Sequence, residues 1–281
     1  MSPILNALTI DVEEHFQVHA FESVIARSAW DRYPSRVVAN TQRILRLLAE
    51  YNLHATFFIL GWIADRYPEL VSEIAAQGHE IATHGYWHEL VYRQTPAEFA
   101  ADLGQSVDAI VRACGLQPLG YRAPGFSITK QSLWALDIMR DNSIKYDSSI
   151  FPLAAHDRYG IRNANRFANQ VHGELWEFPV STIRLGKQNW PVAGGGYFRL
   201  FPLWLTRRAI RHLNADGQPA IIYLHPWEFD PDQPRIPNAP RLSRFRHYVN
   251  IDKTESRLRT LLSEFQFGPL CTVFANCLET A

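Results

Sequence analysis

One feature constrains the fold of this chain more than any other. Short apolar runs of strand length alternate with longer segments whose apolar residues recur at helical spacing. Ile4–Asp11 reads as a strand, and Val37, Val38, Ile44, Leu45 and Leu48 mark a helix over residues 36–51. A strand at Ala55–Leu60 precedes a helix at Ala64–Gln77, with Gly78 as its stop. Glu80–Thr83 returns to strand, and Thr95-Pro96 opens a helix that runs through Cys114 to Gly115. Pro118–Arg122 is strand-like, and Thr129–Asn142 is helical with Thr129 as its cap. Further strands are expected at Lys145–Ser148, Leu175–Ile183 and Ala220–Leu224, with helices near 203–214 and 254–265. This order demands a largely parallel sheet with helices on its faces, either open or closed into a barrel. There is no internal repeat, and Asp230–Arg246, with Pro231, Pro234, Pro237 and Pro240, reads as an ordered surface loop. The 281 residues are therefore read as one decorated domain.

Composition narrows the function. Lys and Arg number 28 and so do Asp and Glu, so the net charge is zero, against an electrostatic binder of nucleic acid or anionic membrane. Cys114, Cys271 and Cys277 form no C-x-x-C pair, so neither a cysteine zinc site nor a disulfide framework is expected. The first residues carry no Lys or Arg and meet acids at Asp11, Glu13 and Glu14, unlike a secretory signal. The longest apolar stretch, Phe57–Ala64, is far short of the ~20 residues of a membrane helix. A cytoplasmic protein without a transmembrane segment is expected. Eleven His and eight Trp are the unusual counts, since imidazole binds metals and moves protons while indole packs or stacks on flat ligands.

Four polar motifs stand where strands end, the edge at which parallel sheets and barrels gather their active sites. In Thr9-Ile-Asp-Val-Glu-Glu14, strand alternation points Asp11 and Glu13 the same way and Glu14 the opposite way. Two such carboxylates suit a metal ligand beside a general base, although acids also simply flank strands. In Thr83-His-Gly-Tyr-Trp-His-Glu89, His84 and His88 are four apart, and a helical turn would put both on one face to grip one metal. Glu13 completes two His and a carboxylate with open positions, and Asp11 is left as the base. Gly120-Tyr-Arg-Ala-Pro-Gly125 offers Arg122 to orient Asp11, or an ordinary turn with a surface Arg. Ile221–Phe229 runs a strand into His225, a general acid or a structural His.

Other residues fit around these. Asp147 is expected near His225 or Arg122 as a supporting partner, and Glu177 along the cleft. Gly194-Gly-Gly-Tyr-Phe-Arg199 reads as a tight loop that brings Tyr197 to the cleft, without the Lys-Ser/Thr ending of a phosphate loop. Trp87 and Trp227 either stack on a sugar ring or belong to the core.

Taken together, Thr9-Ile-Asp-Val-Glu13, His84–His88, Arg122-Ala-Pro124 and Leu224-His225 resemble, in order, the motifs of the polysaccharide deacetylases. This is the NodB-homology family, carbohydrate esterase family four, whose usual opening is Thr-Phe-Asp-Asp. The resemblance is nearest to the branch linked to bacterial exosortase (PEP-CTERM) exopolysaccharide loci. It is carried there by Asp-Val-Glu, Gly194–Arg199, Tyr223–Asp230, Phe245–Asn250 and Phe265–Pro269. The resemblance implies an α/β fold, a distorted (β/α)7-type barrel, with residues 1–281 as one catalytic domain and 230–281 as its C-terminal extension. It implies Asp11 as base, Glu13, His84 and His88 as metal ligands, and His225 as acid, with Asp-x-Glu replacing the family's adjacent Asp pair. The implied cofactor is a divalent metal, Zn²⁺ first, with Co²⁺, Ni²⁺ or Mn²⁺ as alternatives. The implied reaction removes N-acetyl groups from amino sugars of a bacterial polysaccharide or its precursor, an N-acetylated glycan being the partner. Rival readings are an amidase acting on a cyclic amide, an inactive glycan-binding relative, and a formyl-sugar lipid deformylase.

Overall fold

The central strands, at Leu5–Val12, Thr56–Ile59, Glu80–Thr83 and Ile221–Leu224, are buried on both faces, and the alternation of their side chains sorts the core into separate parts. Along β1 (Leu5–Val12), Leu8, Ile10 and Val12 face the helices, while Ala7 faces inward with Phe58, Ala82, Tyr146 and Tyr223. Thr9 and Asp11 share Ala7's inward face by the same alternation. β2 (Thr56–Ile59) repeats it, with Phe57 and Ile59 outward and Phe58 inward. The computed structural model describes residues 3–153 and 160–279.

The remaining strands are β3 (Glu80–Thr83), β4 (Gly120–Tyr121), β5 (Tyr146–Asp147), β6 (Asn169–His172), β7 (Leu175–Glu177), β8 (Thr182–Leu185), β9 (Gln188–Pro191), β10 (Ile221–Leu224) and β11 (Gln266–Gly268). The main sheet runs β10-β1-β2-β3-β4-β5-β7-β6, and β11 pairs with the start of β1. All its pairings are parallel except β6 with β7. The sheet curls into the expected distorted barrel, and β8 and β9 form a separate antiparallel pair. The helices are α1 (Val37–Glu50), α2 (Gly61–Arg66), α3 (Pro68–Ala76), α4 (Pro96–Cys114), α5 (Ala135–Asp141), α6 (Gly195–Leu200), α7 (Leu203–Ala215), α8 (Arg241–Tyr248) and α9 (Thr254–Glu264).

α4 follows its sequence signals closely. Thr95 and Glu98 form a reciprocal capping box, and Gly115 ends the helix at φ +75°. Elsewhere the structure corrects the sequence. The helix expected over Ala64–Gln77 is two, because Pro68 has no N–H and drives Tyr67 to φ −134°. The helix expected from Thr129 starts only at Ala135. The Ser132 hydroxyl accepts from Thr129 N and donates back to Ser127 O, closing the intervening turn on itself. The strand expected over Leu175–Ile183 breaks at Pro179 into β7 and β8. Within the expected loop 230–246, residues from Arg241 onward are helical.

Candidate active site

β1 delivers its two carboxylates to the mouth of the barrel, where both approach His225 Nε2. Asp11 Oδ2 lies 3.9 Å from it and Glu13 Oε1 3.7 Å. Glu14 turns away, as strand alternation requires. Its carboxylate accepts the backbone N–H groups of Arg36 and Val37 at the start of α1, at 3.1 and 3.2 Å.

Arg122 is fully buried. Its Nη1 donates to Asp11 Oδ1 and to Thr9 Oγ1, both at 2.7 Å. Nε and Nη2 donate to Ser148 O and Oγ, and the guanidinium lies 4.1 Å above the Phe58 ring. Four of its five N–H donors are thereby engaged, so Asp11 is held by one oxygen while Oδ2 stays open toward the mouth.

His84 and His88 meet without a helical turn, contrary to the sequence reading. Gly85 at φ +73° and His88 at φ +54° coil the loop instead, and the two rings lie 5.3 Å apart. A Cβ at Gly85 would stand 2.8 Å from Asp102 Oδ2. α4 holds this loop from below. The Asp102 carboxylate accepts from Tyr86 N and Trp87 N at 2.8 and 3.0 Å, and Ser106 Oγ donates to Gly85 O at 3.0 Å. Sequence reasoning missed both residues. Their signal is a pair of polar side chains four apart on the buried face of an amphipathic helix.

Glu13, His84 and His88 bring their ligand atoms within 4.8 Å of one another. His84 Nδ1–H donates to Arg122 O at 2.8 Å, which leaves Nε2 with its lone pair. Burial pushes this imidazole down to about 4, so it is neutral. Burial alone would raise Glu13, but the charge and hydrogen bond of His88, with His225 and His84, hold it well below the usual carboxylate range. Glu13 Oε2, buried and without a well-formed hydrogen bond, lies 2.6 Å from His88 Nε2. A buried carboxylate aimed at two imidazoles fits a divalent cation, and two nitrogens with one oxygen suit Zn²⁺. Trp227 Nε1 donates to Glu13 Oε1 at 3.0 Å and fixes the carboxylate's rotation.

His225 is oriented by a residue that sequence reasoning also missed. Its Nδ1 donates to Glu228 Oε1 at 2.6 Å, and Arg199 Nε donates to Glu228 Oε2 at 2.6 Å. Arg199 is itself buried, its other N–H groups held by the carbonyls of Arg246, His247 and Val249. Burial would lower His225, yet the hydrogen bond to Glu228 and the charges of Glu13, Glu228 and Asp11 push it up to about 9. The imidazolium is therefore the neutral-pH form, with Nε2–H facing Asp11 and Glu13. The expected tight loop at Gly194–Arg199 is helix α6, and it is Arg199, rather than glycine geometry, that serves the site. Gly194 is needed for close approach, since a Cβ there would meet Tyr223 O at 1.8 Å.

Trp227 is buried, stacked against the imidazoles of His225 at 5.0 Å and His247 at 4.1 Å. Asp147 lies close enough to Arg122 to feel its charge, as expected, but makes no hydrogen bond to it. Arg122 bonds to Ser148 instead, and Asp147 accepts from Ser149 Oγ beside Glu177. Burial raises both carboxyls, Asp147 to about 6 and Glu177 well above its usual range, and the charge of Asp147 raises Glu177 further, so the pair keeps a proton on Glu177. A carboxyl with a raised folded pKa contributes stability below its unfolded pKa and loses it as pH rises through the folded value. Glu177→Gln is accordingly expected to flatten the fall in melting temperature between pH 5 and pH 8. A variant that falls as steeply as the parent would place the titration elsewhere.

Two cavities flank the site and share Val18 and His19. One, of about 350 Å³, reaches His225 and is lined by Tyr197, Leu200, Tyr223 and Phe245. The other, of about 300 Å³, reaches His88 and is lined by Trp30, Trp87 and Arg27. A larger cavity, about 570 Å³, opens at the opposite end of the strands beside Leu5 and Glu80, away from these side chains.

Residues 25–141 match the model of the polysaccharide deacetylase family. The matched segment contains His84, His88 and Arg122, whereas residues 148–275, with Arg199, His225 and Glu228, match a domain of unknown function (DUF3473). The chain is 33% identical over 98 residues to the peptidoglycan-N-acetylglucosamine deacetylase of Bacillus cereus, covering 34% of this chain and 36% of the relative. It is 32% identical over 108 residues to the peptidoglycan deacetylase of Helicobacter pylori, covering 38% and 36%. The match thus spans about a third of these relatives' length. In fold the likeness is complete: a candidate polysaccharide deacetylase from Mycobacterium smegmatis superposes with a TM-score of 0.64 at 19% identity, over 100% of this chain and 95% of that one.

Proposed function

We propose that this chain is a metal-dependent N-deacetylase that hydrolyses acetamido groups on amino sugars of a bacterial exopolysaccharide or its precursor, releasing acetate. The observation that carries the proposal is the convergence of three separately fixed groups on one point. These are Asp11 held by Arg122, the Glu13–His84–His88 ligand set, and His225 held by Glu228. The relatives' activities on peptidoglycan support the class of reaction.

A divalent cation bound by Glu13, His84 and His88 would polarise the amide carbonyl and acidify a water beside it. Asp11, with Oδ1 occupied by Arg122, takes the water's proton on Oδ2 as the water oxygen attacks the carbonyl carbon. The C–N bond then breaks, and His225 Nε2–H gives its proton to the departing nitrogen. The products are acetate and a free amine. Glu228 keeps the imidazole in the tautomer and orientation this transfer needs. The two flanking cavities leave room for sugar units on either side of the reacting one, with Trp87 and Tyr197 on their walls. The exopolysaccharide branch is supported by Gly194–Arg199 and Tyr223–Asp230, the two motifs that supply the Arg199–Glu228 pair.

The test is acetate release from N-acetylated oligosaccharides and polymers by the Zn²⁺-loaded protein, run beside a ring-opening assay on cyclic amides. Acetate release that a chelator abolishes is expected. Ring opening without acetate would select the amidase reading, and glycan binding without either would select the inactive relative. The raised pKa of His225 gives a sharper expectation. Activity falls as pH rises through about 9, where the imidazolium is lost. Glu228→Gln removes the charge that holds that proton, so this alkaline limb moves down by about one unit or more. An unmoved limb would mean that another group sets it.

A further inference from the structure

The net charge of zero conceals a strong local asymmetry. Between Phe178 and Ala215 stand Arg184, Lys187, Arg199, Arg207, Arg208 and Arg211 with no Asp or Glu. Between Gln233 and Ile251 stand Arg235, Arg241, Arg244 and Arg246, again with no acid. The same two stretches hold the four large apolar side chains that are more than half exposed among the described residues: Trp204 at 61%, Leu242 at 59%, Leu185 at 56% and Phe245 at 54%. Positive charge and exposed apolar side chains therefore fall in the same stretches of sequence.

Three of these ten cations are already matched. Arg199 pairs with Glu228, and Arg207 and Arg211 pair with Glu264. The unmatched charge concentrates on α8. Arg241, Arg244 and Arg246 are exposed there without a carboxylate in ion-pair reach among the described residues. Leu242 and Phe245, three residues apart, lie on one face between them. α8 packs against α6, and Leu200 of α6 with Phe245 and Arg246 of α8 rims the cavity that reaches His225.

We propose that the α8 face, built on Leu242 and Phe245 among Arg241, Arg244 and Arg246, docks onto an anionic lipid surface. Leucine and aromatic side chains set among arginines, with no acid beside them, are the pattern by which amphipathic helices lie in a membrane interface. Each arginine adds attraction to anionic headgroups. A sugar platform is a different construction, a flat ring bordered by hydrogen-bonding side chains, which the aliphatic Leu242 does not supply. No described helix is long and apolar enough to cross a membrane, so the contact is peripheral. Docking in this orientation brings the rim of the His225 cavity to the lipid surface. The proposal rests on this face and stands apart from the deacetylase reading.

The test is co-sedimentation of the full chain with vesicles of phosphatidylglycerol and phosphatidylcholine in equal parts, against vesicles of phosphatidylcholine alone. The expected result is binding to the anionic vesicles only, weakened by salt. Arg241→Gln with Arg244→Gln is expected to lower the partition coefficient about thirtyfold. Leu242→Ser lowers it by at least tenfold, and both variants melt like the parent because the positions are exposed. A parent that stays in the supernatant at low salt overturns the proposal, as does equal binding to both vesicles that the arginine changes leave untouched. A dimer by sedimentation velocity that these variants dissolve, without vesicle binding, would assign the face to a second copy. Loss of binding to insoluble chitin, with vesicle binding unaltered, would assign it to glycan.

Discussion

Asp11→Asn is expected to lower turnover by about 10²–10⁴-fold while the bound metal stays at the parent level. Asparagine keeps the shape of the side chain and still offers Arg122 Nη1 an oxygen, the contact that Asp11 Oδ1 makes at 2.7 Å. What it removes is the basicity of Oδ2, which faces the mouth of the barrel. The change also leaves the buried guanidinium of Arg122 without its carboxylate. Stability falls too, although the bonds to Thr9 and Ser148 retain the arginine's position. Turnover must therefore be measured well below the variant's melting temperature, beside elemental analysis of the same preparation. Near-parent turnover with full metal would remove Asp11 from the role of base.

His84→Ala should fail in the opposite manner, through the metal. Residues that merely support a metal ligand contribute about 10–100-fold to affinity, so deleting one of three ligands should cost more than about a hundredfold. The protein should purify with little metal, and added Zn²⁺ should restore activity poorly. Glu14→Gln is the matched control. It alters the neighbouring carboxylate, whose partners are the first N–H groups of α1, and should cost about 1 kcal/mol of helix capping with metal content unchanged. Equal metal in His84→Ala and the parent would mean that the ligand set lies elsewhere.

The sequence revealed those parts of the site that are local in the chain. Strand alternation separates Asp11 and Glu13 from Glu14 because the alternating direction of the side chains carries on past Val12, the last residue of β1. The motifs at the ends of β1, β3, β4 and β10 converge because parallel strands share one C-terminal edge. Partnerships across the chain were hidden. Glu228 reads as one more acid in Pro-Trp-Glu-Phe until Arg199, 29 residues away, is seen to hold it. Asp102 and Ser106 look like mild faults in a helix until the loop they tether is folded above them. Trp227 could be weighed only as ring or core, since nothing local says that imidazoles will stack against it. The misplaced helix starts have a different origin. Pro68 was a visible break that apolar periodicity overrode, whereas the Ser132 back-bond competes with helix in a way that period alone does not reveal.

The division of the site between two family matches has a consequence for anyone who recombines such chains. His84, His88 and Arg122 lie before residue 141, and Arg199, His225 and Glu228 lie after residue 148, while Asp11 and Glu13 precede both matched segments. A crossover at the obvious seam, 142–147, would take the proton donor from one parent and the histidine ligands from the other. It would also cut next to Asp147 and Ser148, the second of which positions Arg122. Chimeras made there should fold more often than they work, and the surviving ones should be those whose parents agree at Ser148 and Trp227, the residues that reach across the join.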